Sequence, residues 1–173
     1  TKLFNDCDSF DDHSFTLAGI TVLTKNYFED GSELTKSDYW NNIYISEANP
    51  GWNLNQPAEA FKDMLPRVKL PKSRILVLGC GYGHDAALFA QAGHVVTGVD
   101  FSNEAISGAQ KKYSHLKNLT FEKMDVFNLP HDWNHSFDVV VEHTLFCAIN
   151  PEKRTDLVNV WKRLLHEEGQ LMG

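Results

Sequence analysis

The sequence lacks the features that mark several large functional classes. Its 173 residues carry 16 Lys and Arg against 23 Asp and Glu, a net charge of −7. Nucleic-acid binding rests on clustered cations that neutralise phosphates. Here the densest basic pair is Lys111-Lys112, so no nucleic-acid partner is expected. Only three cysteines occur, Cys7, Cys80 and Cys147, and none forms a CxxC pair. That odd, scattered set supports neither a disulfide framework nor a zinc site, and reduced thiols in a cytoplasmic setting are the expectation. No apolar run approaches the roughly 20 residues of a membrane span, which leaves no membrane partner expected. The opening TKLFNDCDSFDD has neither the basic start nor the apolar stretch of a secretory signal. P-loop lysines and G-x-S-x-G elbows are absent too.

What remains reads as one ordinary domain. The hydrophobic fraction is 42% and the charged fraction 23%, usual for a chain that buries a single core. Residues 1–36 form an N-terminal arm, acidic at first and then β-rich in FTLAGITVL. From residue 37 a helix is expected through Ile45, capped by Ser37 or Asp38. Asn49-Pro50-Gly51 breaks the chain, and Pro57 opens a second helix that ends near Pro66.

The body, continuing to 173, alternates between two periods. ILVLG (75–79) is a continuous apolar run, as a strand buried on both faces requires. His84 to Ala92 reads as a helix, HVVTGVD (94–100) as a second strand, and Ser102 caps a helix to Tyr113. LTFEKMD (119–125) and FDVVVEH (137–143) are further strands. HDWNH (131–135) reads as a loop. Pro151 to His166 is a helix with Leu157, Val160, Trp161 and Leu164 on one face, and GQLMG (169–173) begins a fifth strand. This order predicts an α/β, Rossmann-like, doubly wound and mostly parallel sheet with right-handed crossovers. Ligands of such sheets bind beyond the carboxyl ends of the strands.

The loop after the first body strand is Gly79-Cys80-Gly81-Tyr82-Gly83-His84-Asp85. Glycines there let the chain turn tightly and let a ligand approach the backbone. Asp100, at the end of the next strand, suits the ribose hydroxyls of an adenosine ligand. The dinucleotide fingerprint wants its third glycine where His84 stands; here it comes one residue early, at Gly83.

The resulting G-x-G-x-G loop, with GVDFS after it, resembles the first two motifs of class I S-adenosylmethionine-dependent methyltransferases. FDVVVEHTLFCAINPEKR (137–154) and DYWNNIYISEANPGWNLNQPAEA (38–60) are similar to segments of the thiopurine, thiol and halide methyltransferase superfamily. That resemblance implies a cofactor, S-adenosyl-L-methionine, held by Trp40, Trp52, Gly79, Gly81, Gly83, Asp85, Asp100, Phe101, Asp125, Val126 and Glu142. It implies that residues 37–66 cover the cofactor. It places Glu142 and His143 at the cofactor's methionine end or beside the acceptor, as the candidate catalytic residues, where relatives often have Arg in place of His143. No metal is expected. The implied activity is methyl transfer to a small molecule, a thiol, halide or similar soft nucleophile. An O- or N-methyltransferase of a metabolite, or a non-catalytic cofactor-binding module, is the alternative. Because the superfamily's fold continues past the fifth strand with another helix and a hairpin, the C-terminal strands are expected to be lacking from this chain.

Overall fold

The computed structural model describes residues 15–17, 20–22, 36–47 and 49–173; most of the 1–36 arm lies outside them. Strands β1 (Phe15–Leu17) and β2 (Ile20–Val22) pair antiparallel. Helix α1 (Ser37–Ser46) follows. Its N-cap is Lys36, with no side-chain cap bond. Neither Ser37 nor Asp38 caps it, because both are already helical. Asp38 instead lies in the first turn, where a negative charge suits the helix dipole. Helix α2 (Glu59–Met64) ends the segment expected to cover the site.

The body is a five-stranded parallel sheet ordered β5-β4-β3-β6-β7. Its strands are β3 (Arg74–Leu78), β4 (Val95–Asp100), β5 (Leu119–Lys123), β6 (Phe137–Glu142) and β7 (Leu165–Met172). The strand period of two divides β3 between two cores. Ile75 and Val77 pack with Ala86, Phe89 and Ala90 of α3 (His84–Gln91) and with Ile106 and Ala109 of α4 (Asn103–Tyr113). Leu76 and Leu78 face Leu157, Val160 and Leu164 of α6 (Arg154–Leu164). Phe89 is wholly buried, a side chain worth about 1.5–3 kcal/mol of hydrophobic transfer. The α3 and α4 crossovers step outward on one side of β3, and the chain then returns to place β6 on the other. The switch point therefore falls at the carboxyl end of β3, where Gly79 begins its loop.

Two expectations shift. The final helix stops at Leu164 and β7 begins at once at Leu165, not at Gly169. The register beside it slips, pairing Phe137 with Leu165 but Val139 with Gln170. His166, Glu167 and Glu168 leave this outer strand without an apolar run, so its start carries no strand pattern. His131–Trp133 form a 3-10 turn inside the stretch read as a loop. Among the described residues, no helix is long and apolar enough to cross a membrane.

Candidate functional site

The glycines of the loop divide their tasks. Gly79, Gly81 and Gly83 all adopt positive φ, at +60°, +51° and +77°, a region costly for other L-residues. A Cβ at Gly83 would overlap the Phe121 ring, and one at Gly79 would come within 3.0 Å of Leu145. These two keep neighbours close. Gly81 differs, since among the described residues a Cβ there would meet only the Tyr44 hydroxyl, 3.1 Å away. It faces the gap between loop and cover.

Asp100 stands beside that gap. Its Oδ2 accepts from the Gly81 N–H at 2.9 Å, and its Oδ1 accepts from the Ser102 N–H at 2.9 Å. The residue is 9% exposed, and burial raises its pKa while these amides oppose the rise. Among the described residues no cation pairs with it. A carboxylate with two bonds made still has lone pairs to offer, and hydroxyl donors suit it. The next residue but one, Ser102, caps α4 by accepting from the Ala105 N–H at 3.2 Å. Its hydroxyl donates to Asn41 Oδ1 at 2.8 Å and so ties α1 to the sheet. Phe101 is half-buried between these two.

The cover is built from aromatic and amide side chains. Trp40 and Trp52 meet edge to face at 5.5 Å, and Tyr44 meets Trp52 at 5.8 Å and Tyr82 at 5.1 Å. The Trp52 indole N–H donates to the Tyr44 hydroxyl at 3.1 Å. Burial and then the Asp100 charge raise the Tyr44 pKa far above its usual value, which keeps its proton on. Sequence reasoning missed Tyr44 and Asn41. The signal was available, because Tyr44 follows Trp40 by one helical turn on the same face.

Asp85 and His84 fasten this cover from below. Asp85 Oδ1 accepts from the Ala58 N–H at 2.7 Å, and Oδ2 meets His143 Nδ1 at 3.2 Å. His84 Nε2 donates to Asn53 Oδ1 at 3.2 Å, while its Nδ1 accepts from the Tyr113 hydroxyl at 2.7 Å. Both Asp85 oxygens are thus engaged by protein. They join the cover, the glycine loop and the end of β6.

The remaining expected residues sit nearby with local bonds. Glu142 Oε2 accepts from the Phe146 N–H at 2.9 Å, which anchors α5 (Leu145–Ala148). Asp125 accepts from the Phe127 N–H and from the Asn128 side chain, capping the 3-10 turn that begins at the buried Val126. The Arg154 guanidinium lies 5.1 Å over the Phe146 ring, and its Nε, like the Trp161 Nε1, is buried with no hydrogen-bond partner among the described residues. Two surface hollows, of about 310 and 360 Å³, lie beside Tyr113 and Phe121 and beside Phe127 and Arg163. They hold none of the expected site residues. The cleft over Gly81 is instead filled by Tyr44.

The family model of thiopurine S-methyltransferase matches residues 35–172. "Probable thiol methyltransferase 2" of Arabidopsis thaliana is 31% identical over 138 residues, 77% of this chain and 59% of that protein. "Thiocyanate methyltransferase 1" of Brassica oleracea is 30% identical over 145 residues, 81% and 62% of the two. A solved structure from work on the conversion of a disulfide bond into a thioacetal group during echinomycin biosynthesis superposes with a TM-score of 0.68 at 28% identity. It covers 75% of this chain and 56% of that one. The chain thus spans about three fifths of the length of these curated relatives.

Proposed function

Because the chain belongs to the thiopurine S-methyltransferase family, we propose that it binds S-adenosyl-L-methionine and transfers its methyl group to a small, soft nucleophile. The cofactor supplies a methyl carbon already activated by a sulfonium. The observation that carries the reading is the Gly81–Asp100 pair, a glycine whose Cβ position meets a Tyr44 hydroxyl and no packed side chain, beside a buried carboxylate with no cation partner among the described residues. Asp100 takes the ribose hydroxyls, and Gly81 lets the ligand lie against the backbone. Gly79, Gly83, Phe101, Asp125 and Val126 shape that wall. Trp40 and Trp52 close over it with Tyr44 and exclude water. Asp85 acts by fastening the cover. Glu142 and His143, at the end of β6, border the acceptor.

A sulfur or halide acceptor is supported by the relatives' named activities on a thiol and on thiocyanate and by the sulfur chemistry named for the structural neighbour. In their anionic forms such nucleophiles need alignment and dehydration more than activation. Cys80 and Cys147 are thiols outside any disulfide among the described residues, which fits a cytoplasmic setting.

Calorimetry with S-adenosyl-L-methionine tests the binding half, with a micromolar Kd expected. No heat at millimolar cofactor would overturn it. Labelled cofactor offered with an alkanethiol, thiocyanate, iodide, a primary amine and an alcohol tests the acceptor half, and label in the amine or alcohol alone would refute a soft nucleophile.

A further inference from the structure

His143 and Asp85 form a pair whose arrangement matters for any acceptor that arrives with a proton. His143 follows β6, and Asp85 lies in the first turn of α3. Their side chains bring Nδ1 and Oδ2 to 3.2 Å. A carboxylate can only accept, so Nδ1 carries the proton and Nε2 presents its lone pair. Nε2 has no hydrogen-bond partner among the described residues, and the His143 side chain is 34% exposed. Phe61 of α2 meets the ring edge to face at 5.7 Å and limits its rotation. Asp85 is itself fixed by the Ala58 N–H.

We propose that His143 is a general base for protonated thiol acceptors, with Asp85 as the positioning residue that fixes its tautomer and orientation. This rests on the methyl-transfer reading above. The thiol S–H bond breaks and its proton passes to Nε2. The pair left on sulfur forms the bond to the methyl carbon as the old carbon–sulfur bond breaks, its electrons neutralising the sulfonium. His143 then releases the proton to water. A thiol of ordinary pKa, near 8.5, is mostly protonated at pH 7, so the base raises the reactive fraction. Iodide and thiocyanate bring no proton and gain nothing from it.

The charged groups that face the ring are Asp85 on α3 and Glu142 on β6. The bond to Asp85 above all, and then the Asp85 and Glu142 charges, raise the His143 pKa above its usual value against the opposing effect of burial.

The decisive measurement compares an alkanethiol with iodide in the wild type, His143→Gln and Asp85→Asn. His143→Gln is expected to lose at least about a hundredfold in kcat for the thiol, and at least tenfold more for the thiol than for iodide. Asp85→Asn is expected to lower thiol turnover, since an amide can donate to Nδ1 and force the proton onto Nε2. A second readout needs no turnover. In the cofactor-free protein, the His143 ring resonance should titrate above the usual range, and Asp85→Asn should bring it down. Equal losses for both acceptors, or a His143 titration indifferent to Asp85, would overturn the base. A wild type that methylates neither acceptor refutes the methyl-transfer reading, and the base falls with it.

Discussion

The two halves of the site are held by different kinds of bond. On the sheet side, Asp100 and Ser102 are 9% and 0% exposed, and backbone amides donate to both side chains. On the cover side, Trp52 is 37% exposed. Several of the cover's own bonds run between exposed side chains, from Trp52 to Tyr44 and among Asn49, Asn53 and Asn55. Exposed side-chain bonds exchange readily with water and contribute little net stability. The sheet half is therefore prepared by folding itself, whereas the cover belongs to the low-stability end of the molecule.

The largest expected effect separates the glycines of the sheet half. Gly83→Ala adds overlap with the Phe121 ring to a strained φ and should cost about 3 kcal/mol or more in a denaturant melt. Gly81→Ala meets only a hydroxyl and should cost about 1–2 kcal/mol while weakening cofactor binding at least tenfold. Equal stabilities for the two variants would erase the division between packing and ligand-facing glycines. Next comes Asp100→Asn, which turns an amide N–H₂ toward one of two backbone donors. Calorimetry should show cofactor binding weakened by about 5- to 150-fold, the range that 1–3 kcal/mol spans.

How much of this was legible in the sequence follows the same division. Strand periodicity, the glycine turn and the acid ending β4 are local patterns, and they located four strands, the glycine loop and Asp100, whereas the switch point needed the strand order. The Ser102 cap was readable because capping is decided within four residues. The cover was legible only as tryptophans and a proline break. The bonds that hold it, Ser102 to Asn41 and His84 to Asn53, join residues 61 and 31 positions apart, and no local pattern encodes them. Asp85 is legible as a site residue only by its place after the glycines. Its partners, Ala58 and His143, depend on where two other segments return.

The two histidines that fasten the cover should respond to pH in opposite directions. His84 donates through Nε2 and accepts at Nδ1, which requires the neutral ring. Burial, and then Lys112 at 3.5 Å, depress its pKa. Its stabilising contribution is complete above the ordinary value of about 6.5 and is lost as pH falls through the lower folded value. The raised His143 behaves in reverse. Its contribution is complete below about 6.5 and is lost as pH rises through the folded value. The Tm of His84→Gln should therefore approach that of the wild type on the acid side, and that of His143→Gln on the alkaline side. Parallel Tm curves would show that neither ring is held as the geometry indicates.

The smallest effect bears most directly on the cover. Trp52 donates to the Tyr44 hydroxyl, and Tyr44 fills the space outside Gly81. Tyr44→Phe keeps the ring contacts and removes only that acceptor, which should cost about 0.5–1.5 kcal/mol. Because the bond lies within the cover, the loss should appear as faster hydrogen exchange or proteolysis at residues 49–58, with global unfolding nearly unchanged. Trp52→Phe should have the same local effect, and the double variant should be little worse than either, since one bond serves both residues. Additive losses would mean that the two side chains act separately. A loss shared by the strands would mean that cover and sheet unfold as one unit, and the contrast between prepared and closing halves would fail.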